Sequence, residues 1–250
     1  MQKILKSLHL WKFAYFVREF FYQLLRVDFF RALVAGIRYI WYAGILRRMR
    51  ELDVSTGDIG VNTIKHNKQR LFKMKWLAVT RSNMLVYPLS GIRVTRSAPI
   101  LSVGPRTEGE LLNLMAVGFR NVRGLDLMSY SPWIDLGDMH AMPYKDDAFA
   151  AVVMGWCIAY SDNRPKAAME AVRVSPNGGV IAVGVQYQRA TAEEISQKVG
   201  YDVPDKKRIE SVDEILSLFG NHVDYVYFRQ DLPKERVDKW DLLVIFSVNK

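Results

Sequence analysis

Pro99-Ile-Leu-Ser-Val103, followed at once by Gly104-Pro-Arg-Thr-Glu-Gly109, is the stretch from which the fold can be read. A short apolar run halted by a glycine has the pattern of a strand buried on both faces, as in a parallel sheet. The next residues, Thr107 to Val117, have helical spacing, and Gly118 stands where helices commonly stop. Strand, glycine turn and helix then recur downstream. Val122–Leu127 (VRGLDL) reads as a second strand ending in an acid, and Trp133–Leu136 as a short third. Phe149–Cys157 reads as a fourth, Pro165–Val174 as a helix and Gly178–Val185 as a fifth. Ser211 and Glu214 form a capping box for a helix stopping near Gly220. Val223–Phe228 and Leu242–Val248 complete the set. Such alternation predicts an α/β fold, a doubly wound and mostly parallel seven-stranded sheet.

Upstream the character changes. The chain has 250 residues and a net charge of +9, unevenly spread: +8 in residues 1–50, +5 in 51–98 and −4 in 99–250. Basic character in one half only points to an anionic partner for that half. Residues 1–50 also hold twelve of the thirty aromatic side chains and no proline. They read as an N-terminal helical extension of two helices, roughly 8–26 and 28–48. Neither is a membrane span, which needs about 20 mostly apolar residues. Lys12, Arg18 and Glu19 interrupt one run, and Arg31 and Arg38 the other. Arg31 and Arg38 are seven apart and share a helix face. Aromatic side chains beside the basic cluster Arg47, Arg48 and Arg50 suit a helix lying in a membrane interface. The same composition also fits a helical pair packed on the α/β domain or on a second subunit. In the connecting region, 51–98, Ser55–Gly60 reads as a turn, Thr63–Val79 as a basic helix and Met84–Ile92 as an extended segment broken at Pro88. The single cysteine, Cys157, excludes an internal disulfide and makes a reducing, cytoplasmic setting the default, with peripheral contact to the inner face of a membrane through residues 1–50.

In open α/β sheets ligands sit beyond the carboxyl ends of the strands. Those ends present Gly104, Pro105, Arg106, Thr107 and Glu108, then Asp126 and Leu127, then Gly137-Asp138-Met139-His140, and after the fourth strand Trp156 and Tyr160. Taken singly, Asp126 and Asp138 would be ordinary strand-end capping acids. Together, in this order, they resemble the class I S-adenosylmethionine-dependent methyltransferases, a Rossmann-like family, over about residues 99–187. Met142-Pro-Tyr-Lys-Asp-Asp-Ala-Phe149, Glu170-Ala-Val-Arg173 and Pro176-Asn-Gly-Gly179 strengthen the likeness. The resemblance implies S-adenosyl-L-methionine as cofactor. It implies a cradle for its methionine part at residues 104–108, an acid for the ribose hydroxyls at Asp126 beside Leu127, and an acid for the adenine amine at Asp138 with Met139 on the ring. It implies a pocket lined by Trp156, and no metal site.

The chain departs from that pattern at three places. Ser102 stands where the family usually has an acid, and Arg106 and Glu108 stand where it usually has small residues. The link Met128-Ser-Tyr-Ser-Pro132 is too short for the family's usual helix, so that side of the adenosine pocket is expected to be trimmed or open. Glu108 could replace the missing acid. His140 is the default general base for an oxygen nucleophile, or else a hydrogen-bonded loop histidine. Tyr160 is its companion on the acceptor side, or else lid packing.

Four functions follow. The first is O-methylation of a small-molecule, glycan or lipid-linked acceptor at a membrane surface. The second is a catalytically inactive, partner-binding scaffold. The third is a nucleotide or nucleotide-sugar site in which Arg106 meets phosphate. The fourth, nucleic acid methylation, is disfavoured because residues 1–50 are too apolar for a nucleic acid arm. A homo-oligomer is compatible with all four.

Overall fold

The computed structural model describes residues 2–53, 64, 67–68, 80–191, 193–194, 197 and 208–250. Ser55–Gly60 and most of Thr63–Val79 lie outside the described residues. The helices are α1 (Gln2–Leu24), α2 (Asp28–Tyr39), α3 (Asn83–Gly91), α4 (Glu108–Ala116), α5 (Arg164–Val174) and α6 (Val212–Ser217). The strands are β1 (Pro99–Val103), β2 (Asn121–Asp126), β3 (Ile134–Leu136), β4 (Ala151–Gly155), β5 (Val180–Gln188), β6 (Val223–Gln230) and β7 (Lys239–Val248).

These strands form one seven-stranded sheet in the order β3-β2-β1-β4-β5-β7-β6. The first five run parallel, and β7 is antiparallel to both of its neighbours. The strand order reverses at β1, between β2 and β4, and beyond the carboxyl ends of the strands at such a switch point open α/β sheets bind ligands. The architecture is the Rossmann-like one that the alternation of elements predicted.

Alternation along each strand sends side chains to two cores. Leu101, Val103, Val152, Met154, Ile181, Val183 and Phe246 face α5 and α6, where Ala168, Ala171, Ile215 and Phe219 meet them. Ile100, Val153, Ala182 and Ile245 face the other way, against Leu111, Leu112 and Met115 of α4 and Leu85, Val86 and Leu89 of α3. Leu25 and Ala35 join this second core, so the N-terminal helices are a layer of it. With α1, α2 and α3 on its outer side, α4 has every residue buried.

Three expectations are corrected. Met84–Ile92 is helical, not extended, and α3 carries Pro88 in its interior. Leu85, Val86 and Leu89 recur at helical spacing and are almost fully buried. Burial worth about 1.5–3 kcal/mol per large apolar side chain outweighs a proline cost of about 3 kcal/mol. The second helix does not run regularly to residue 48: α2 ends at Tyr39 and Ile40–Ile45 continue as a π-helix. Finally, the short link between β2 and β3 does not leave an open side. Arg50–Glu51 pair antiparallel with Met128–Ser129, and Tyr39 packs edge-on against Tyr130 at 5.0 Å between ring centroids. The N-terminal segment covers the flank that the missing helix would have covered.

Candidate functional site

The turn after β1 is built on left-handed backbone. Gly104 has φ +70°, and a Cβ there would lie 2.7 Å from the Cβ of Cys157, so only glycine fits. Arg106 takes φ +57° without being glycine. Such a conformation is uncommon for a side-chain-bearing residue and needs support from its surroundings. The support is Asp126, whose Oδ2 accepts the Arg106 amide at 2.8 Å while Oδ1 accepts that of Met128 at 3.2 Å. Thr107 caps α4 by accepting the Gly109 amide. Burial raises the Asp126 pKa, against the opposing pull of the Arg106 and Met128 amides. The Leu127 amide adds to these two, and with about four lone-pair sites the carboxylate still retains room for a further donor.

Glu108 is turned away from this turn. Its carboxylate, 0% exposed, accepts Nε of Arg38 at 2.5 Å and Nη2 at 2.9 Å, and also the Ser131 hydroxyl. Its own amide donates to the Tyr130 hydroxyl at 3.1 Å. Arg38 lies with its guanidinium 3.5 Å from the Trp133 ring centroid. Burial opposes the Arg38 charge, but the Glu108 bonds outweigh it and raise its pKa. The acid expected to replace the one missing at Ser102 is thus committed to α2, because Arg38 reaches it first.

Another acid, one that sequence reasoning passed over, lies beside the carboxyl end of β4. Glu110 is buried, and desolvation pushes its carboxyl up to about 8, against the positive fields of Arg106 and Arg81 and with that of Asp126. Its Oε2 lies 3.7 Å from where a Gly155 Cβ would be. The signal was present in the sequence: a carboxylate in a helix whose following turn, Leu111-Leu112-Asn113-Leu114, is otherwise almost wholly apolar. In such a helix even a polar position falls inside the core.

Beyond β3, Asp138 accepts the His140 amide at 2.9 Å and faces Nδ1 of the same ring at 2.6 Å. These His140 bonds hold the Asp138 carboxyl below its ordinary range. With Nδ1 donating to Asp138, Nε2 faces Ser161 Oγ at 2.6 Å and Asp162 Oδ1 at 3.2 Å. The ring therefore bridges the loops after β3 and β4. Met139 is partly buried against the α5 face. Trp156, also at positive φ (+60°), donates its indole N–H to Asp241 at 2.7 Å, and Arg81 lies 4.2 Å from its ring centroid. Tyr160 is 61% exposed on the surface. Leu127 is partly buried beside Asp126. The structure thus gathers Gly104, Pro105, Arg106, Thr107, Asp126, Glu110 and Trp156 around the carboxyl end of β1. Asp138, Met139 and His140 stand on its β3 side, and Glu108 is sequestered behind it.

A Rossmann-like sheet of this order, with a glycine turn and acids at successive strand ends, has the methyltransferase architecture. Comparison with known families makes this specific, since residues 101–183 match the family described as "Methyltransferase domain". Over this stretch the chain is similar to the class I methyltransferases, a family whose cofactor is S-adenosylmethionine. Solved structures share the fold. A chain of the complex between the Haloferax volcanii Trm112 methyltransferase activator and a methyltransferase is 16% identical with a TM-score of 0.51, over 77% of this chain and 97% of that one. The MccD protein is 11% identical, TM-score 0.53, over 66% and 96%. A methyltransferase of Thermotoga maritima described as a possible histamine N-methyltransferase is 14% identical, TM-score 0.50, over 76% and 97%. At such identities the likeness is one of fold.

Proposed function

We propose that the chain methylates an oxygen of a small-molecule, glycan or lipid-linked acceptor while seated on a membrane surface. One observation supports the surface part. The arginines of α2 turn inward, Arg31 to Leu25 O and Asp28 and Arg38 to Glu108, so the helix shows solvent its apolar stripe. Phe29 and Ile37 on that stripe are 68% and 58% exposed, and Trp41 in the π-helix that follows is 51% exposed. Trp11, Phe13 and Phe16 of α1 are exposed too, and the exposed Arg47, Arg48 and Arg50 follow. A helix with its apolar face outward and basic groups at its end suits an anionic bilayer interface. Among the described residues no helix is long and apolar enough to cross a membrane.

The residues at β1 fit S-adenosylmethionine. Gly104 sets the left-handed turn after β1, and Asp126 has lone pairs left for ribose hydroxyls. Buried Glu110 would regain a favourable charged form beside the cofactor's ammonium. Asp138, with Met139, would meet the adenine, and Leu127 and Trp156 would wall the pocket. When bound, the cofactor supplies an already activated methyl group, so the protein's part is positioning and proton removal. His140, oriented by Asp138, would take the acceptor proton at Nε2, with the exposed Tyr160 on the acceptor side. That step requires Nε2 to exchange Ser161 for the acceptor. Arg106, whose charge reaches Glu110, favours a second reading in which a nucleotide phosphate occupies the turn.

Flotation of the full chain with phosphatidylcholine vesicles, with and without phosphatidylglycerol, tests the surface part. The expected result is association with the anionic vesicles alone, weakened by salt and lost in Ile37→Asp/Trp41→Asp. Equal recovery of wild type and variant with either vesicle would overturn it.

A further inference from the structure

At the far end of α4, about 12 Å along the helix from Glu108, a cavity opens. It has a volume of about 290 Å³ and is lined by Arg26, Arg31, Asn83, Tyr87, Asn113 and the apolar pair Ala116 and Val117. Its polar lining carries two guanidiniums, two carboxamides and a phenol; Asn113 already donates to Ser82 Oγ at 2.5 Å, and the Asp28 carboxylate pairs with Arg31. Arg31 is 3% exposed and held rigidly, with Nη1 donating to Leu25 O at 2.6 Å and Nη2 to Asp28. Arg26 is exposed, and among the described residues it forms no ion pair.

We infer that this cavity binds a phosphate-type oxyanion carried on a lipid headgroup. The Arg26 guanidinium, without a carboxylate partner among the described residues, selects an acceptor-rich anion at the mouth of this lining, and a guanidinium fork matches phosphate oxygens in pairs. The volume is near the lower end of small-ligand pockets, enough for a headgroup. The lipid source follows from position. Val27 and Phe29, which flank the arginines' corner in the chain, are 50% and 68% exposed. The outward stripe of α2 starts at Phe29, so an amphiphile with its phosphate between Arg26 and Arg31 would keep its chains on apolar surface. The source rests on the membrane-surface reading, while the anion site itself does not.

Calorimetry of the full chain with dihexanoylphosphatidic acid below its micelle concentration tests this, with inorganic phosphate and the neutral amphiphile octyl glucoside alongside. Arg26→Gln removes one guanidinium, and Asn83→Asp places a carboxylate in the lining at a helix start, where an acid does not harm folding. The expected result is binding of the lipid phosphate, weaker binding of inorganic phosphate and none of octyl glucoside. Each variant should weaken lipid phosphate binding at least about tenfold, Arg26→Gln by losing a charge-assisted contact and Asn83→Asp by adding a repelling charge, while S-adenosylhomocysteine binding is unchanged. Absence of lipid phosphate binding, or affinity equal in wild type and both variants, would overturn the site. Equal affinity for inorganic and lipid phosphate would overturn the lipid source. Phosphatidic acid binding without vesicle flotation would retain the site and remove the membrane reading.

Discussion

Glu110 illustrates what a single side chain contributes. Its carboxyl, pushed up to about 8 by burial, holds its proton more tightly in the fold than in the unfolded chain, where the value is near 4.5. The folded state therefore binds more protons between those values, and stability falls as pH rises from about 4.5 to 8. A cofactor ammonium reverses the preference, so binding must expel that proton. S-adenosylhomocysteine affinity should then fall about fivefold between pH 8 and pH 7. Glu110→Gln should flatten that dependence, weaken binding and raise the ligand-free melting temperature at pH 8. Calorimetry and thermal melts across pH 6.5–8 measure all three, and a variant with wild-type affinity and pH slope would contradict the role. Arg106 and Asp126 carry a related lesson. An acid ending β2 was legible as a candidate site residue, but its service to a left-handed arginine was not, because nothing in Gly-Pro-Arg-Thr states which residue after Gly104 takes positive φ.

Among the elements, α2 and α4 are joined by Arg38 and Glu108. Removing one member of a buried pair leaves the other charge uncompensated, whereas removing both can be nearly neutral. Arg38→Met should cost roughly 3–5 kcal/mol in urea unfolding. Arg38→Met/Glu108→Gln should recover most of that loss. Additive losses in the double variant would show that the two do not act as a pair. The strand–helix alternation of residues 99–187 was readable because apolar runs and glycine stops are local signals. The helix α3 was not, because Pro88 is a local signal and the packing of Leu85 and Leu89 that overrides it is not. The heptad spacing of Arg31 and Arg38 showed that they share a face. Only the positions of Glu108 and Leu25 decide that the face points inward.

On the scale of the whole molecule, a methyltransferase-type sheet carries on one side a helical layer whose apolar surface faces outward. That layer completes the flank between β2 and β3, where the link is too short for a helix, so the basic N-terminal half and the acidic α/β half form one structure. The opposite charges of the halves were legible in composition. The way the N-terminal segment substitutes for an absent helix depends on pairing between residues 50–51 and 128–129, far apart in sequence. The central claim is that the altered turn still holds the cofactor. Titration of the full chain with S-adenosylhomocysteine, followed by calorimetry and thermal melting beside Asp126→Asn, tests it most directly. At 100 times its dissociation constant the ligand should stabilise the fold by about 2.7 kcal/mol, and the variant, which keeps an acceptor for the Arg106 amide, should lose most of that gain. No heat and no shift with the wild-type chain, or a larger shift with a nucleoside diphosphate, would contradict the account.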